Sequence, residues 1–423
     1  MLGAESLRRA PIGASGITGE SALSRAFMLA VLLLALWSGA LPLAAQTPPR
    51  EPIRIGVSGP FTGGSAPMGL SMRSGIRLAA EAINAQGGIG GRQILLIERD
   101  DEARPERGLA IANSFVRNER VVAVVGVVNT GVALASQRVF QDARIPVLTA
   151  VATGSLVTQQ FKSPQQADNY VFRAAANDTI QAEMIVEEAV TRLHARRVAI
   201  LADSTNYGQL GREDLQRALE RKGVRATVVE RFNVGDVDLS GQVGRARSAG
   251  VEAVLTYGIG PELAQIANEM ARQNWHVPLI GSWTLAMANF IDRAGPNAEG
   301  ARMPQTFIAE PTNPRHAAFL EAYRMSGAGE RIPIPPAAAQ GYDAMLLLAA
   351  ALRQAGSTDG PRLREALEDL RLPVEGVIAR YERPYSRTDH EAIDNPQSAV
   401  IGEVRKGRVV FAYDEDRKRL ARR

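Results

Sequence analysis

The side chains that most often do chemistry in proteins are few and scattered in this sequence. Cysteine is absent, which removes thiol nucleophiles, thiolate-bound zinc, iron–sulfur clusters and disulfides. None of the four histidines has a second metal ligand at helical spacing. They are His194, His276, His316 and His390. Each is therefore predicted to be a surface or packing residue rather than a metal ligand.

Other enzyme signatures also fail to appear. Asp100-Asp101-Glu102 could bind a cation, but a solvated acidic turn after a strand is the favoured interpretation. The sequence holds neither a P-loop nor a Gly-x-Ser-x-Gly nucleophile elbow. The glycines between 87 and 91 follow a predicted helix and precede a strand, the reverse of a dinucleotide-binding loop. We therefore predict no catalytic residue, no metal and no cofactor.

Charge gives no sign of a nucleic-acid partner. The 423 residues carry 49 basic and 45 acidic side chains, a formal net charge of +4. The two signs are interspersed along the chain, so no basic stripe forms. Nucleic-acid binding is not expected.

The first 45 residues have the order of a secretory signal. A charged leader is followed by an apolar stretch over 26–36 and then by small residues up to Ala45. The stretch is too short to span a bilayer, and Gly39 and Pro42 interrupt its continuation. Residues 1–45 are predicted to be a signal peptide, and the lack of cysteine argues against a lipid anchor.

After this leader, short apolar runs alternate with helical patterns. The runs are β-branched and do not alternate with polar residues, which is typical of strands buried on both faces. The first series is 53–57, 94–97, 121–125 and 146–148, and the second is 198–201, 227–229, 253–255 and 279–280. Helices are predicted at 72–83, 180–193, 211–222, 261–273 and 342–355. The sequence thus predicts an α/β protein with two parallel sheets, and the chain crosses between lobes near Phe172-Arg173.

Three loops of small and hydroxyl-bearing residues follow strands of the first series. They span 58–69, 126–131 and 149–155. Parallel strands end at a common edge of their sheet, where ligands bind. Each loop could be only a set of cap and turn residues, but three at one edge favour a site. Hydroxyls, an amide and N–H groups at helix starts would suit a carboxylate there.

Several segments resemble the periplasmic binding proteins of the leucine/isoleucine/valine type, over about 52–420. They are Ile53 to Gly63, Ile83 to Ile89, Val124-Val125-Gly126, Ile145 to Thr149, Phe172-Arg173, Asn206-Tyr207-Gly208, Gly341 to Ala344 and Asp389-His390. The resemblance implies two Rossmann-like lobes, hinged and closing on a ligand. Lobe one would comprise 52–172 and 306–378, and lobe two 173–305 and 379–423. The implied function is capture of a small carboxylated solute in the periplasm for the membrane permease of an ABC importer, by a monomer.

The family's ligand positions carry over unevenly. The hydroxyl-bearing loop maps to Asn129 and Thr130, and the segment that holds the ligand carboxylate maps to Val151, Ala152 and Thr153. In lobe two, the aromatic residue of the Tyr-Gly motif maps to Tyr207. Two matches fail, because Trp283 stands where the family has an acid for the ligand ammonium, and Met68 replaces an aromatic residue.

Loss of that acid has a physical consequence. A buried ammonium group without a counter-charge costs several kcal/mol, so α-amino acids should bind poorly unless another acid substitutes. We expect a carboxylate held by Thr153 and Asn129, with an apolar or aromatic remainder against Trp283, Met68 and Tyr207. A ligand sensor of the same fold remains an alternative, as does, less favoured, a secreted Rossmann-like enzyme.

Overall fold

The computed structural model describes residues 50–162, 164 and 166–421. The predicted signal peptide, residues 1–45, lies outside them. Among the described helices, none combines the length and the hydropathy that a membrane crossing requires.

The first sheet has five parallel strands in the order β2-β1-β3-β4-β5. The strands are β1 (Ile53–Gly59), β2 (Ile94–Asp100), β3 (Ala123–Gly126), β4 (Val147–Thr149) and β5 (Val171–Arg173). The helices α1 (Ala66–Ala85), α2 (Pro105–Arg117) and α3 (Thr130–Asp142) connect the first four strands. β1, β3, β4 and β5 are almost wholly buried, as their unbroken apolar runs require. Lobe one is built on this sheet.

The second sheet has seven strands in the order β14-β13-β10-β9-β8-β6-β7. Its parallel strands are β6 (Val198–Asp203), β7 (Val228–Phe232), β8 (Ala253–Tyr257), β9 (Leu279–Gly281) and β10 (Arg302–Gln305). The antiparallel hairpin of β13 (Val400–Arg405) and β14 (Arg408–Phe411) extends it beyond β10. The helices of this lobe are α4 (Asp178–Val186), α5 (Asn206–Arg221), α6 (Ser240–Ser248), α7 (Gly260–Arg272), α8 (Ala288–Ala294) and α12 (Asp414–Ala421). Together they confirm an α/β fold of two lobes with parallel sheets.

Helix α4 is shorter than the predicted helix over 180–193, because its last turns are a π-helix, Glu187–Arg192. The buried Glu188 on this segment accepts hydrogen bonds from Arg302 at 2.5 Å and from the Tyr413 hydroxyl at 2.7 Å. The wider turn thus accommodates a side chain that connects α4 to β10 and to the C-terminal segment.

Lobe one is completed by α9 (Pro314–Met325), α10 (Pro335–Ala355) and α11 (Gly360–Glu368), with a short hairpin of β11 (Val374–Glu375) and β12 (Arg380–Tyr381). Helix α10 packs closely on α1 through glycines. A Cβ atom at Gly75 would lie 1.9 Å from the Ala338 carbonyl oxygen, and one at Gly341 would lie 2.4 Å from that of Met72. The two helices can approach only because both positions lack a side chain.

Arg173 pairs with Thr149 as the last residue of β5, so this strand ends at the predicted crossing near Phe172-Arg173. The C-terminal segment after 379 was predicted to belong to lobe two. Tyr381 donates a hydrogen bond to Asp343 on α10, and the His390 ring stacks on Phe172 at 3.9 Å. The segment from 379 to Glu391 therefore contacts lobe one. The remaining predicted boundaries, at 305–306 and near the termini, stay predictions.

Candidate functional site

The three loops at the carboxyl edge of the first sheet contact each other directly. Asn129, the N-cap residue of α3, donates from Nδ2 to Ser65 Oγ of the first loop at 3.1 Å. Thr130, the first residue of α3, accepts a hydrogen bond at Oγ1 from the Gly154 amide of the third loop at 3.3 Å. Asn129 Oδ1 is buried without a partner among the described residues. The structure thus brings together the residues from which the carboxylate seat was predicted.

The segment Val151 to Thr153 is buried at this edge. Val151 and Ala152 pack into apolar clusters of the lobe, and the Ala152 amide donates to the Val127 carbonyl at 3.1 Å. Thr153 is 3% exposed, and its carbonyl accepts from the Asp178 amide at 2.9 Å. This segment therefore joins the predicted seat to the start of α4.

Lobe two contributes aromatic side chains opposite these loops. The Tyr207 hydroxyl donates to Ser282 Oγ at 2.7 Å, and Trp283 opens a short 3₁₀ turn that ends at Ala286. The Trp283 amide donates to Gln181 Oε1 at 3.2 Å, and its carbonyl accepts from Gln305 Nε2 at 3.3 Å. Trp283 is therefore held through its backbone by two glutamines, and its side chain is 5% exposed and packs in the same apolar cluster as Tyr207.

Met68 lies in the first turn of α1. It is 2% exposed and belongs to the same apolar cluster as Met72. Its side chain contributes to the core of lobe one in the structure as it stands, and its role as a ligand wall stays a prediction.

The lobes contact each other through helix α8. Asn289 donates from Nδ2 to the Gly64 carbonyl at 2.8 Å, and the Ala288 amide donates to the Pro333 carbonyl at 2.9 Å. Arg331 of lobe one pairs with Asp292 at 2.7 Å. Since α8 follows the short turn that begins at Trp283, Trp283 and the contact between the lobes belong to one continuous segment.

We expect Asn289→Ala to shift the chain toward a more open form. One hydrogen bond contributes about 0.5–1.5 kcal/mol, so ligand binding should weaken by up to about tenfold. Small-angle scattering without ligand should give a larger radius of gyration for the variant. Asn268→Ala is the matched control, because Asn268 bonds only within lobe two, to Asn297 and Arg293. An identical radius for Asn289→Ala and the parent chain would contradict the expectation.

Asp178 is a functional candidate that sequence reasoning missed. It is fully buried at the start of α4, where Oδ1 accepts from Gln181 Nε2 at 3.2 Å. Oδ2 has no hydrogen-bond partner in the described part of the chain. Burial raises the pKa of this carboxyl to about 7, although the Thr153 hydroxyl lowers it; the nearby Asp214 adds to the rise.

The sequence carried a signal for this acid. Asp178 directly follows the stretch Ala174-Ala175-Ala176-Asn177, in which Asn177 caps α4 by accepting from the Ile180 amide at 3.1 Å. A charged residue after an apolar crossing segment is placed where both lobes cover it. The resemblance had placed the expected acid within Gly281-Ser282-Trp283 instead.

The other acidic and histidine candidates have structural contacts. Asp100 accepts from the Phe61 amide at 2.9 Å and from the Thr62 hydroxyl at 2.7 Å, so the acidic turn holds the first loop in place. His316 bonds to the Val377 carbonyl at 3.0 Å, and His390 to the Val171 carbonyl at 2.8 Å. Within the described residues, no three histidine or acidic side chains cluster as a metal site would require.

Comparison with known proteins agrees with this architecture. The model of the family described as periplasmic binding protein matches residues 52–408. The Leu/Ile/Val-binding protein homolog 2 of Brucella abortus (strain 2308) is 30% identical over 65% of this chain and 72% of its own length. An amino acid binding protein of Pseudomonas aeruginosa PAO1 is 30% identical over 78% and 85%, respectively.

A solved structure shares the fold. The branched-chain amino acid transporter substrate binding protein LivJ of Streptococcus pneumoniae, crystallised with isoleucine, superimposes with a TM-score of 0.74 at 23% identity, over 85% of this chain and 97% of that one. The chain therefore belongs to the periplasmic binding protein family and, within it, to the group of Leu/Ile/Val-binding proteins. It is a solute-binding protein of two hinged lobes, which confirms the resemblance seen in the sequence.

Proposed function

We propose that this chain captures a small α-amino acid between its lobes and presents it to the permease of an ABC importer. The observation that carries the proposal is the buried Asp178 carboxyl with a free oxygen, next to Thr153 in the predicted carboxylate seat. The two groups that an α-amino acid requires, a carboxylate seat and a counter-charge for ammonium, then lie side by side. The names of the related proteins point to the same class of ligand.

The carboxylate seat is formed by groups of lobe one. Thr130 begins α3, and the first N–H groups of a helix have no partner within it, so they favour a negative charge. Asn129 and Thr153 supply an amide and a hydroxyl at the same edge. Charge-assisted hydrogen bonds of this kind are stronger than neutral ones, which suits capture of a carboxylate from water.

Asp178 replaces the acid that Trp283 displaces. An ammonium group beside it would favour the ionised carboxylate and so would offset the burial that raises its pKa. Trp283 then forms an apolar wall rather than a charged one. Loss of the family's acid at 283 is thus compatible with amino acids, because a second acid stands nearby.

A second candidate ligand is a carboxylate without an ammonium group, such as an aromatic acid. Trp283 and Tyr207 favour it, since the resemblance maps both aromatic residues to ligand positions. In that case a protonated Asp178 would donate a hydrogen bond to the ligand instead of pairing with a cation.

The remaining parts of the proposal concern the chain as a whole. It acts in the periplasm after removal of residues 1–45, without a lipid anchor, as a monomer. It binds and closes without catalysing a reaction, while a partner ATPase supplies the energy of transport. A sensor of the same fold would bind the same ligand but deliver it to a signalling partner. Deletion of the chain with measurement of ligand uptake separates the two roles.

A thermal-shift screen of the mature chain against amino acids and aromatic acids tests the ligand class. A ligand at 100 times its Kd stabilises the folded state by about 2.7 kcal/mol, which is readily seen. Aromatic acids as the tightest ligands would favour the second candidate, and turnover of any compound would favour an enzyme.

We expect Thr153→Val to weaken binding by about tenfold, because it removes the hydroxyl while keeping the branched shape. Thr153→Ser is the control, since it retains the hydroxyl and should bind within about threefold of the parent. Isothermal titration gives both affinities. Equal affinity of Thr153→Val and the parent chain would place the carboxylate elsewhere.

A further inference from the structure

A small cavity lies beside Thr153, close to the segments that cross between the lobes. Trp283 of lobe two and Gln340 on α10 of lobe one both line it. Its volume is about 10 Å³, room for one group of the size of a water molecule. Thr153, which belongs to the predicted seat of the ligand carboxylate, lines this cavity as well.

Two buried polar atoms of these lining residues are unpartnered. Trp283 Nε1 and Gln340 Oε1 have no hydrogen-bond partner within the described part of the chain. The side chains are only 5% and 3% exposed, so bulk water does not satisfy them. A buried donor and a buried acceptor at one cavity are matched by a group that accepts and donates at once.

Neighbouring contacts hold both residues in place. The backbone of Trp283 is bonded on both sides by Gln181 and Gln305, and Gln340 Nε2 donates to Thr306 Oγ1 at 3.0 Å. Gln340 cannot turn its amide to another partner without breaking its bond to Thr306, and the backbone of Trp283 is fixed on both sides. A group bound between them would also connect the two lobes, since one residue belongs to each.

We infer that this cavity receives the polar end of a hydroxyl- or carboxamide-bearing side chain of the ligand. The inference rests on the proposed capture of an α-amino acid and narrows it to polar, uncharged side chains. Such a group accepts from Trp283 Nε1 and donates to Gln340 Oε1. An aliphatic side chain of the same shape leaves both atoms unpaired, which sites built for hydrogen bonding reject strongly.

Two pairs of nearly isosteric amino acids test the inference on the mature chain. L-threonine is compared with L-valine, and L-asparagine with L-leucine, by isothermal titration calorimetry. We expect the polar member of at least one pair to bind at least about tenfold more tightly than its aliphatic counterpart.

The variant Gln340→Leu removes the acceptor at nearly constant volume. We expect it to reduce this discrimination to less than about threefold while still binding valine or leucine. Gln354→Leu is the matched control on the same helix, because Gln354 bonds to Ala366, Asp369 and Arg371 outside the cleft. It should leave the discrimination unchanged.

Three results would overturn the inference. Valine and leucine binding as tightly as their polar counterparts would mean that the cavity holds water only, and the proposed function would stand. A polar preference that survives Gln340→Leu would mean that another group recognises the side chain. If none of the four amino acids binds but another α-amino acid does, the inference fails and the proposed function stands; if no α-amino acid binds, both fail.

Discussion

Asp178→Asn should weaken amino-acid binding by at least about 30-fold. The substitution keeps the size of the side chain but removes the only charge that it can offer to an ammonium group. Removing one partner of a buried, hydrogen-bonded charge pair costs about 2–5 kcal/mol. Isothermal titration of the tightest amino acid from the thermal-shift screen measures the loss.

Proton release provides a second, independent signature of this acid. With a pKa of about 7, Asp178 is protonated in roughly half of the free molecules at neutral pH. An amino acid should ionise it and release a fraction of a proton, whereas an acid without an ammonium group should cause uptake. Titrations in phosphate and in Tris, which differ in ionisation enthalpy, give the number and the sign. Asp178→Asn should abolish this exchange.

Glu183→Gln is the matched control for the binding loss. Glu183 lies on the same helix, is half exposed and pairs with Arg221 at 3.0 Å. The substitution Glu183→Gln removes the same charge outside the cleft, so the affinity for ligand should stay within about twofold of the parent chain. Equal losses in both variants would mean that Asp178 acts only through the overall charge of α4.

The pH dependence of the free energy of unfolding tests whether the pKa of Asp178 is raised in the folded chain. The pKa of Asp178 rises from 3.8 to about 7 on folding, so the folded chain holds this proton more tightly than the unfolded chain between those values. The free energy of unfolding therefore falls as the pH rises from about 4 to 7, by up to about 4 kcal/mol from this group. The variant cannot titrate there and should lose less stability between pH 5 and pH 8.

The strands most visible in the sequence are the eight parallel strands with a short apolar run, among them the partly exposed edge strands β2 and β7. Eight predicted apolar runs correspond to β1–β4 and β6–β9, because parallel strands under helices carry unbroken apolar residues. The strand β10 was missed because Arg302-Met303-Pro304-Gln305 mixes charge, proline and amide. Its place in the sheet is decided by pairing with β13, which the local sequence does not encode.

The hairpin of β13 and β14 did carry a local signal. Lys406 and Gly407 adopt positive φ values of 50° and 72°, and they lie between two runs rich in valine. A Lys-Gly pair in that setting is typical of a tight hairpin turn. The hairpin was not predicted, because the pattern used for prediction was that of parallel strands separated by helices.

The site was only half predictable for a similar reason. Asn129, Thr130 and Thr153 follow strands directly, so the rule for parallel sheets places them at one edge. Asp178 follows the segment that crosses between the lobes. Gln340 lies on α10, more than 150 residues later in the chain. Only the packing of the chain brings both beside Thr153, which bonds to the Asp178 amide and lines one cavity with Gln340, and no spacing in the sequence expresses that packing.

Arg173→Met should destabilise the folded chain by about 3–5 kcal/mol. Arg173 is fully buried and binds Glu391 through two nitrogens, Nε at 2.7 Å and Nη2 at 2.5 Å. Without the guanidinium, the Glu391 carboxylate, which is 9% exposed, keeps one side-chain hydrogen bond among the described residues, from Thr158. Removing one partner of a buried ion pair has this cost because the charge of the other partner is left uncompensated.

The same arginine also supports the binding site. Its Nη1 donates to the Gly154 carbonyl at 2.8 Å, next to Thr153. Arg173→Met should therefore weaken ligand binding as well as stability. Urea unfolding monitored by circular dichroism gives the free energy of unfolding, and isothermal titration at low temperature gives the affinity of the folded fraction.

An exposed pair of the same chemistry is the control. Arg245 binds Glu230 through two nitrogens at 2.7 and 2.8 Å, on the surface of lobe two. Arg245→Met should leave the free energy of unfolding close to that of the parent chain, because water screens the pair and solvates the charge left behind.

The double variant Arg173→Met/Glu391→Leu separates the pair from its surroundings. If the main cost of the single change is the unpaired carboxylate, removal of both charges should recover most of the lost stability. The affinity for ligand should not recover, because the bond to Gly154 is still missing. If Arg173→Met proves as stable as the surface control, water reaches Glu391 and the pair does not fix the Thr153 loop.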